Sequence, residues 1–322
     1  MALEEDAEAL RNYQAYSRVS NAQIDQEARS GDEHTLDVTL QSHIPVLTFR
    51  YINTTIPLAV IEAEIHDLWY TVIQAAKYWN AANAKHDTLV RYIQNARARG
   101  TLTRPLATIE ADGDSNSGSD RLDVILCSDG GKFWSDLPLL GQDLVDEWTE
   151  RYYRVDYCDN HDLRSNLAAF IGRLVSVGIY RGPAACVLSL FRETLETPRP
   201  LVSTTAADTV TGTDGKTKDS VLSVQSLIHA LQQMLDYAEG SIIALSNDGV
   251  GIADTMSVPH MSSLSELAIQ SGLPSPGFSP SRWRFWIQRL EELARCEFDG
   301  IAGSAEACLN NMSSVLATEA KA

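Results

Sequence analysis

The sequence predicts an all-α fold: a single irregular bundle of about eight to ten helices in antiparallel pairs, with two long polar loops. Three observations lead there. Apolar residues recur at intervals of three and four along most of the chain, as they do when one face of a helix is buried. Proline and glycine fall at the ends of those periodic segments, where they open or close helices. Only two short runs alternate as strands do, and neither has an evident partner.

Residues 1–33 are acidic and are expected to form a poorly ordered or peripheral segment. One helical domain is expected over 34–317, interrupted by flexible inserts at 101–121 and 199–219 and followed by a tail at 318–322. Between Pro45 and Pro57, residues 46–52 alternate at period two and read as a strand without a partner. From Pro57 to Asn80 the residues Ile61, Ile65, Leu68, Trp69, Val72, Ala76 and Trp79 trace one helical face, with Pro57 at its start. A second helix, Asn83 to Arg99, turns Leu89, Tyr92, Ile93 and Ala96 inward and stops at Gly100, which makes an antiparallel hairpin with the first.

The run from Ala111 to Asp120 is too poor in apolar groups to fold alone, so it reads as a loop. Helical spacing resumes with Asp136 as cap, Pro138 in the first turn, and Leu140, Leu144, Val145, Trp148 and Tyr152 inward. The next helix carries Leu163, Leu167, Phe170, Ile171, Leu174, Val175 and Ile179 to the break at Tyr180–Pro183. Pro183 starts another with Val187, Leu188, Phe191 and Leu195, stopped by Pro198 and Pro200. After a Thr-, Asp- and Gly-rich stretch at 203–218, a helix runs from Asp219 to Glu239 and closes at Gly240. Residues 242–245 are the second strand-like fragment. Near the end, Ser279 or Ser281 caps a helix with Trp283, Trp286, Ile287, Leu290 and Leu293 on one arc, and Gly300 separates it from a last helix through Ala305, Cys308 and Met312.

Composition narrows the function classes. The chain has 322 residues, 43 acidic against 26 basic, for a formal charge of −17. Such a balance repels phosphate backbones and anionic membrane surfaces, and no basic stripe offsets it, so neither nucleic acid nor a membrane is expected as a partner. The five cysteines are scattered without a CxxC pair, which suits reduced thiols. The acidic amino terminus does not resemble a leader peptide, and no apolar run reaches the ~18 residues of a membrane span. A cytoplasmic, intracellular location is expected.

Three motifs carry a resemblance. They are Trp134-Ser135-Asp136-Leu137-Pro138, the segment from Asn166 through Phe170 to Arg173 and Leu174, and the segment Arg282, Trp283, Trp286, Leu290. Their order and spacing, W-x-D-L-P, then N-L-x-A-F-x-x-R-L, then R-W-x-x-W-x-x-x-L, resemble a family of fungal, predominantly helical proteins known only as a domain of unknown function. The resemblance covers most of residues 55–317. It implies an intracellular all-α fold and a fungal source, and it supplies no activity and no catalytic residues.

Candidate chemistry is sparse. Asp143, Asp146, Glu147 and Glu150 stand at i, i+3, i+4 and i+7, which would align four carboxylates on one helix face. Such a face could hold Mg²⁺ against a diphosphate, although a solvated acidic stripe has the same pattern. Cys158 and His161 lie in an acidic turn that could supply half a zinc site, but no second Cys/His pair matches it, so an interhelical turn is the simpler expectation. Residues 212–217 imitate the end of a phosphate loop, but the required first glycine falls on Val210. No GxSxG, HExxH or GxGxxG is present. His66, beside Asp67 and near Trp69 and Tyr70, is the histidine best placed to reach a cavity. Trp69, Trp79, Trp148, Trp283 and Trp286 either fill the core or line a groove for an apolar ligand or partner helix.

The expected function is therefore a partner-binding or small-apolar-ligand-binding module without catalysis and without a cofactor. The alternative is a Mg²⁺-assisted enzyme of fungal secondary metabolism acting on a diphosphate or similar precursor through the acidic stripe.

Overall fold

The computed structural model describes residues 2–31, 33–53, 56–105, 122–154, 162–202, 222–249 and 259–319. The remainder of both expected inserts, the Cys158–His161 turn and the loop-like run at 212–217 lie outside them. The fold is all-α. Twelve α-helices lie among the described residues: α1 (Ala2–Ser30), α2 (Glu33–Asn53), α3 (Leu58–Tyr78), α4 (Lys85–Ala98), α5 (Leu140–Glu147), α6 (Asp162–Ser176), α7 (Pro183–Phe191), α8 (Val224–Asn247), α9 (Pro259–Ser262), α10 (Glu266–Gln270), α11 (Pro280–Leu293) and α12 (Asp299–Glu319). Two-residue strands β1 (Arg104–Pro105) and β2 (Leu122–Asp123) form an antiparallel ladder. The turns Trp148–Tyr152, after α5, and Arg192–Glu196, after α7, are π-helical. No helix among the described residues is long and apolar enough to cross a membrane.

The chain divides into two compact units, one of Met1–Trp79 with Asp87–Asp143, the other of Asn80–His86 with Leu144–Ala322. In the first, the acidic amino-terminal segment is helical along its length and docks on α3. Tyr13, Ser17 and Asn21 all donate to the carboxylate of Asp67, Tyr70 donates to Asp25, and Arg29 to Tyr78. Because the partner numbers rise together, α1 and α3 run parallel, and α2 must run back between them. Residues 46–52, expected as a strand, belong to α2. The reason is the longer pattern: Leu36, Leu40, Ile44, Leu47 and Tyr51 are buried at helical intervals, while Phe49, which with Leu47 and Tyr51 made the run look alternating, is exposed. Pro45 lies within α2 at an exposed position.

In the second unit, α6 packs most extensively against α8, and α8 against α12. The Arg164 guanidinium reaches the Ser226 carbonyl and that of Arg173 lies over the Tyr237 ring, so α6 and α8 are parallel too. A Cβ at Gly172 would stand 2.5 Å from the Met234 carbonyl oxygen; only glycine lets these backbones approach so closely. Residues 242–245, expected as a strand, continue α8, because Leu235, Ala238, Ile242 and Leu245 extend its buried face. Gly240 does not end that helix. Ser279 caps α11 by accepting the Arg282 N–H, with proline in the first turn.

Candidate functional site

The motif residues are engaged by the protein's own backbone. In the first motif, Trp134 packs edge-on to Trp69 and Phe133, and its indole donates to Thr48 Oγ1 at 2.8 Å. Trp69 donates to the Pro138 carbonyl, also at 2.8 Å. Asp136 does not cap α5 as expected; it accepts the Lys132 N–H and tightens a loop in which Trp134, Leu137 and Leu139 all have positive φ. In the second motif, Asn166 Oδ1 accepts the Ala81 N–H at 2.7 Å while Arg173 Nη2 donates to the Ala81 carbonyl at 2.8 Å. In the third, Arg282 and Trp286, one turn apart, both bind Glu196: Nε to Oε1 at 2.6 Å, Nη2 to Oε2 at 3.0 Å, and the indole N–H to Oε1 at 2.7 Å. Glu196 and Arg282 are fully buried.

The tryptophans singled out from the sequence are all interior. Trp69, Trp148 and Trp286 have no exposed surface, and Trp79 and Trp283 almost none. Trp283 and Trp286 meet edge to face, Phe191 stacks on Trp286, and Trp148 stacks on Tyr152 while donating to Tyr153. The Trp283 indole N–H is buried without a hydrogen-bond partner among the described residues.

The four carboxylates do not share one environment. Asp143 and Glu147 turn inward, while Asp146 and Glu150 are exposed. Asp143 Oδ1 lies 2.7 Å from His66 Nδ1, and Glu147 pairs with Arg151 at 3.4 Å. Among the described residues there is no group of three or more His, Cys, Asp or Glu arranged to hold a metal ion. The hydrogen bond to Asp143 raises the His66 pKa above its ordinary value, against the opposing effect of burial. What this pair does chemically is fasten α3 to the first turn of α5. Burial pushes the Cys127 thiol up to about 12, which removes it as a nucleophile near neutral pH.

An open recess of about 410 Å³ lies in the second unit, lined by Ser165 of α6, Gln225, Ser226 and His229 of α8, and Gly300 and Ser304 of α12, with Ile228 as its apolar wall. Sequence periodicity missed the polar and small residues of this lining, because none of them forms a recognisable motif. The available signal was Arg164-Ser165-Asn166: three polar residues at the start of an otherwise apolar helix, all of them buried.

A family described as "Protein of unknown function (DUF3632)" matches residues 69–290. A relative from Penicillium oxalicum (strain 114-2 / CGMCC 5302), "Oxopyrrolidines biosynthesis cluster protein G", is 29% identical over 283 residues, which cover 86% of this chain and 73% of the relative. No solved structure matches.

Proposed function

This chain belongs to the DUF3632 family of proteins of unknown function, and from that premise we propose that it is a small-molecule-binding protein of fungal secondary metabolism that carries out no covalent chemistry of its own. One observation carries this. The charged and aromatic residues of all three motifs hold the protein's own backbone and core, so the residues that would first be suspected of catalysis are already engaged. Among the described residues, a recess lined mainly by polar side chains and of a size suited to a small organic molecule is open to a ligand. The Penicillium relative is named as a protein of an oxopyrrolidines biosynthesis cluster, which supports a role beside biosynthetic enzymes. An apolar groove lined by the tryptophans has less support, since all five are buried. The Mg²⁺ alternative has less as well, since its carboxylates split between interior and solvent.

Incubating the purified protein with a metabolite extract of a fungal producer tests the proposal. The expected result is retention of one small molecule, recovered unchanged and in at most stoichiometric amount. Loss of an extract component in large excess over protein, with a new product in its place, would replace binding with catalysis.

A further inference from the structure

We propose that the recess at the amino ends of α6, α8 and α12 binds the oxyanion of a small molecule, a carboxylate or a phosphate group. This deepens the function proposed above and rests on it.

The first observation is convergence. Alongside the parallel α6 and α8, α12 runs the same way: Gly300 and Ser304 share the recess with Ser226 and His229, and one end further on Asn311 donates to Asp236. Three helices of 15, 24 and 21 residues therefore present their amino ends to one cavity, and the positive ends of their dipoles add there. The first amides of α8 are already taken, Val224 by the Pro200 carbonyl, Gln225 by that of Leu201 and Ser226 by Ser223. From α8 the ligand would meet side chains and the dipole, not backbone donors.

The second observation is Ser165. It is only 6% exposed, it lines the recess, and its hydroxyl has no hydrogen-bond partner among the described residues. A hydroxyl held at the wall of a cavity without a protein acceptor or donor is a ready group for a ligand. Ser304 stands across from it on α12 in the same condition, half-buried.

The third is Arg164, the neighbour of Ser165, which is 2% exposed. Its guanidinium donates to the carbonyls of Tyr152, Ser226 and Arg154 and lies near the Tyr152 ring. No carboxylate among the described residues pairs with it. Buried cations are normally compensated by an anion, and this one is joined through the Ser226 carbonyl to the wall of the recess. His229 adds an exposed imidazole donor. Among the described residues the acids nearest this end are Asp162 and Asp299, the first residues of α6 and α12, and Glu297 just before α12. None of them lines the cavity. In a chain of charge −17, a buried arginine without a carboxylate partner among the described residues, beside three helix amino ends and the hydroxyls of Ser165 and Ser304, makes this recess suited to a small anion.

Isothermal titration of the full chain with inorganic phosphate and with succinate, at constant ionic strength and with chloride as reference, tests the proposal. Saturable one-to-one binding of phosphate or of succinate is expected, and whichever binds tighter identifies the oxyanion. Ser165→Ala should weaken it about tenfold, the scale of one charge-assisted hydrogen bond. Ser304→Asp and His229→Glu, at positions that are not fully buried, should abolish it with the melting temperature of the unliganded protein unchanged. Chloride matching both probes, or binding untouched by Ser304→Asp and His229→Glu, would overturn the assignment. If the metabolite extract yields a retained neutral molecule while both oxyanions fail, the recess assignment falls and the binding function stands; if nothing is retained from the extract, the binding function falls as well.

Discussion

Glu196 receives four hydrogen bonds in the interior, two from Arg282, one from the Trp286 indole and one from the Ser265 N–H. Arg282 in turn donates to the carbonyls of Ser262, Gly277 and Ser263. Every polar atom of this pair is occupied, which is the condition under which a buried ion pair is tolerated. Glu196→Met strands the arginine charge and should cost about 3–5 kcal/mol, whereas Glu196→Met with Arg282→Met should recover much of that loss. Thermal unfolding of the single and double variants checks it; equal melting temperatures would deny the coupling. His66 makes a weaker and pH-dependent tie, being half-exposed. Its pKa is raised by Asp143, with Glu62 and Asp67 adding in the same sense, so its contribution is fully present below the unfolded value near 6.5. It fades as pH climbs through the higher folded value. His66→Gln should therefore lower the melting temperature at about pH 5.5 and have little effect at about pH 9. A loss of equal size at both pH values would show that the ring, not its charge, matters.

At the scale of elements, the most extensive packing within each unit joins helices that are parallel and two steps apart in the chain, α1 with α3 and α6 with α8. Gly172 shows how tightly. Gly172→Ala pushes a methyl group onto the Met234 carbonyl and should destabilise by about 1–3 kcal/mol. Gly240→Ala, in the middle of α8 with nothing near its would-be Cβ, should instead stabilise by about 0.5–1 kcal/mol. Melting both variants decides whether backbone approach or helix propensity governs each position. Helix periodicity made α3, α6, α7, α11 and α12 legible in the sequence, because their apolar residues are long runs on one arc. It missed α1, whose apolar residues are few and whose docking depends on Tyr13, Ser17 and Asn21 finding Asp67 far away in sequence. It misread 46–52 and 242–245 because a window of four to seven residues does not separate period two from a helix whose outer face carries apolar groups such as Val46 and Phe49.

For the molecule as a whole, the three motifs mark the family, and none of their residues lines the recess. Their tryptophans and charges were conspicuous because they are large and chemically distinctive, and those same properties suit them to hold α6, α11 and the loop before α5 in place. The recess was illegible because Ser165, Ser226 and Ser304 are ordinary residues until three parallel helices bring them together. The acidic stripe at 143–150 likewise dissolved into an inward pair and an outward pair once the helix was placed. On the reading proposed above, the chain is a binding protein whose ligand is a small anion in that recess. Native mass spectrometry of the intact chain purified from a fungal producer, wild type beside Ser304→Asp, tests it most directly. One small anionic molecule should leave with the wild type and be missing from the variant at unchanged melting temperature; an identical retained mass on both proteins, or none on the wild type, would contradict it.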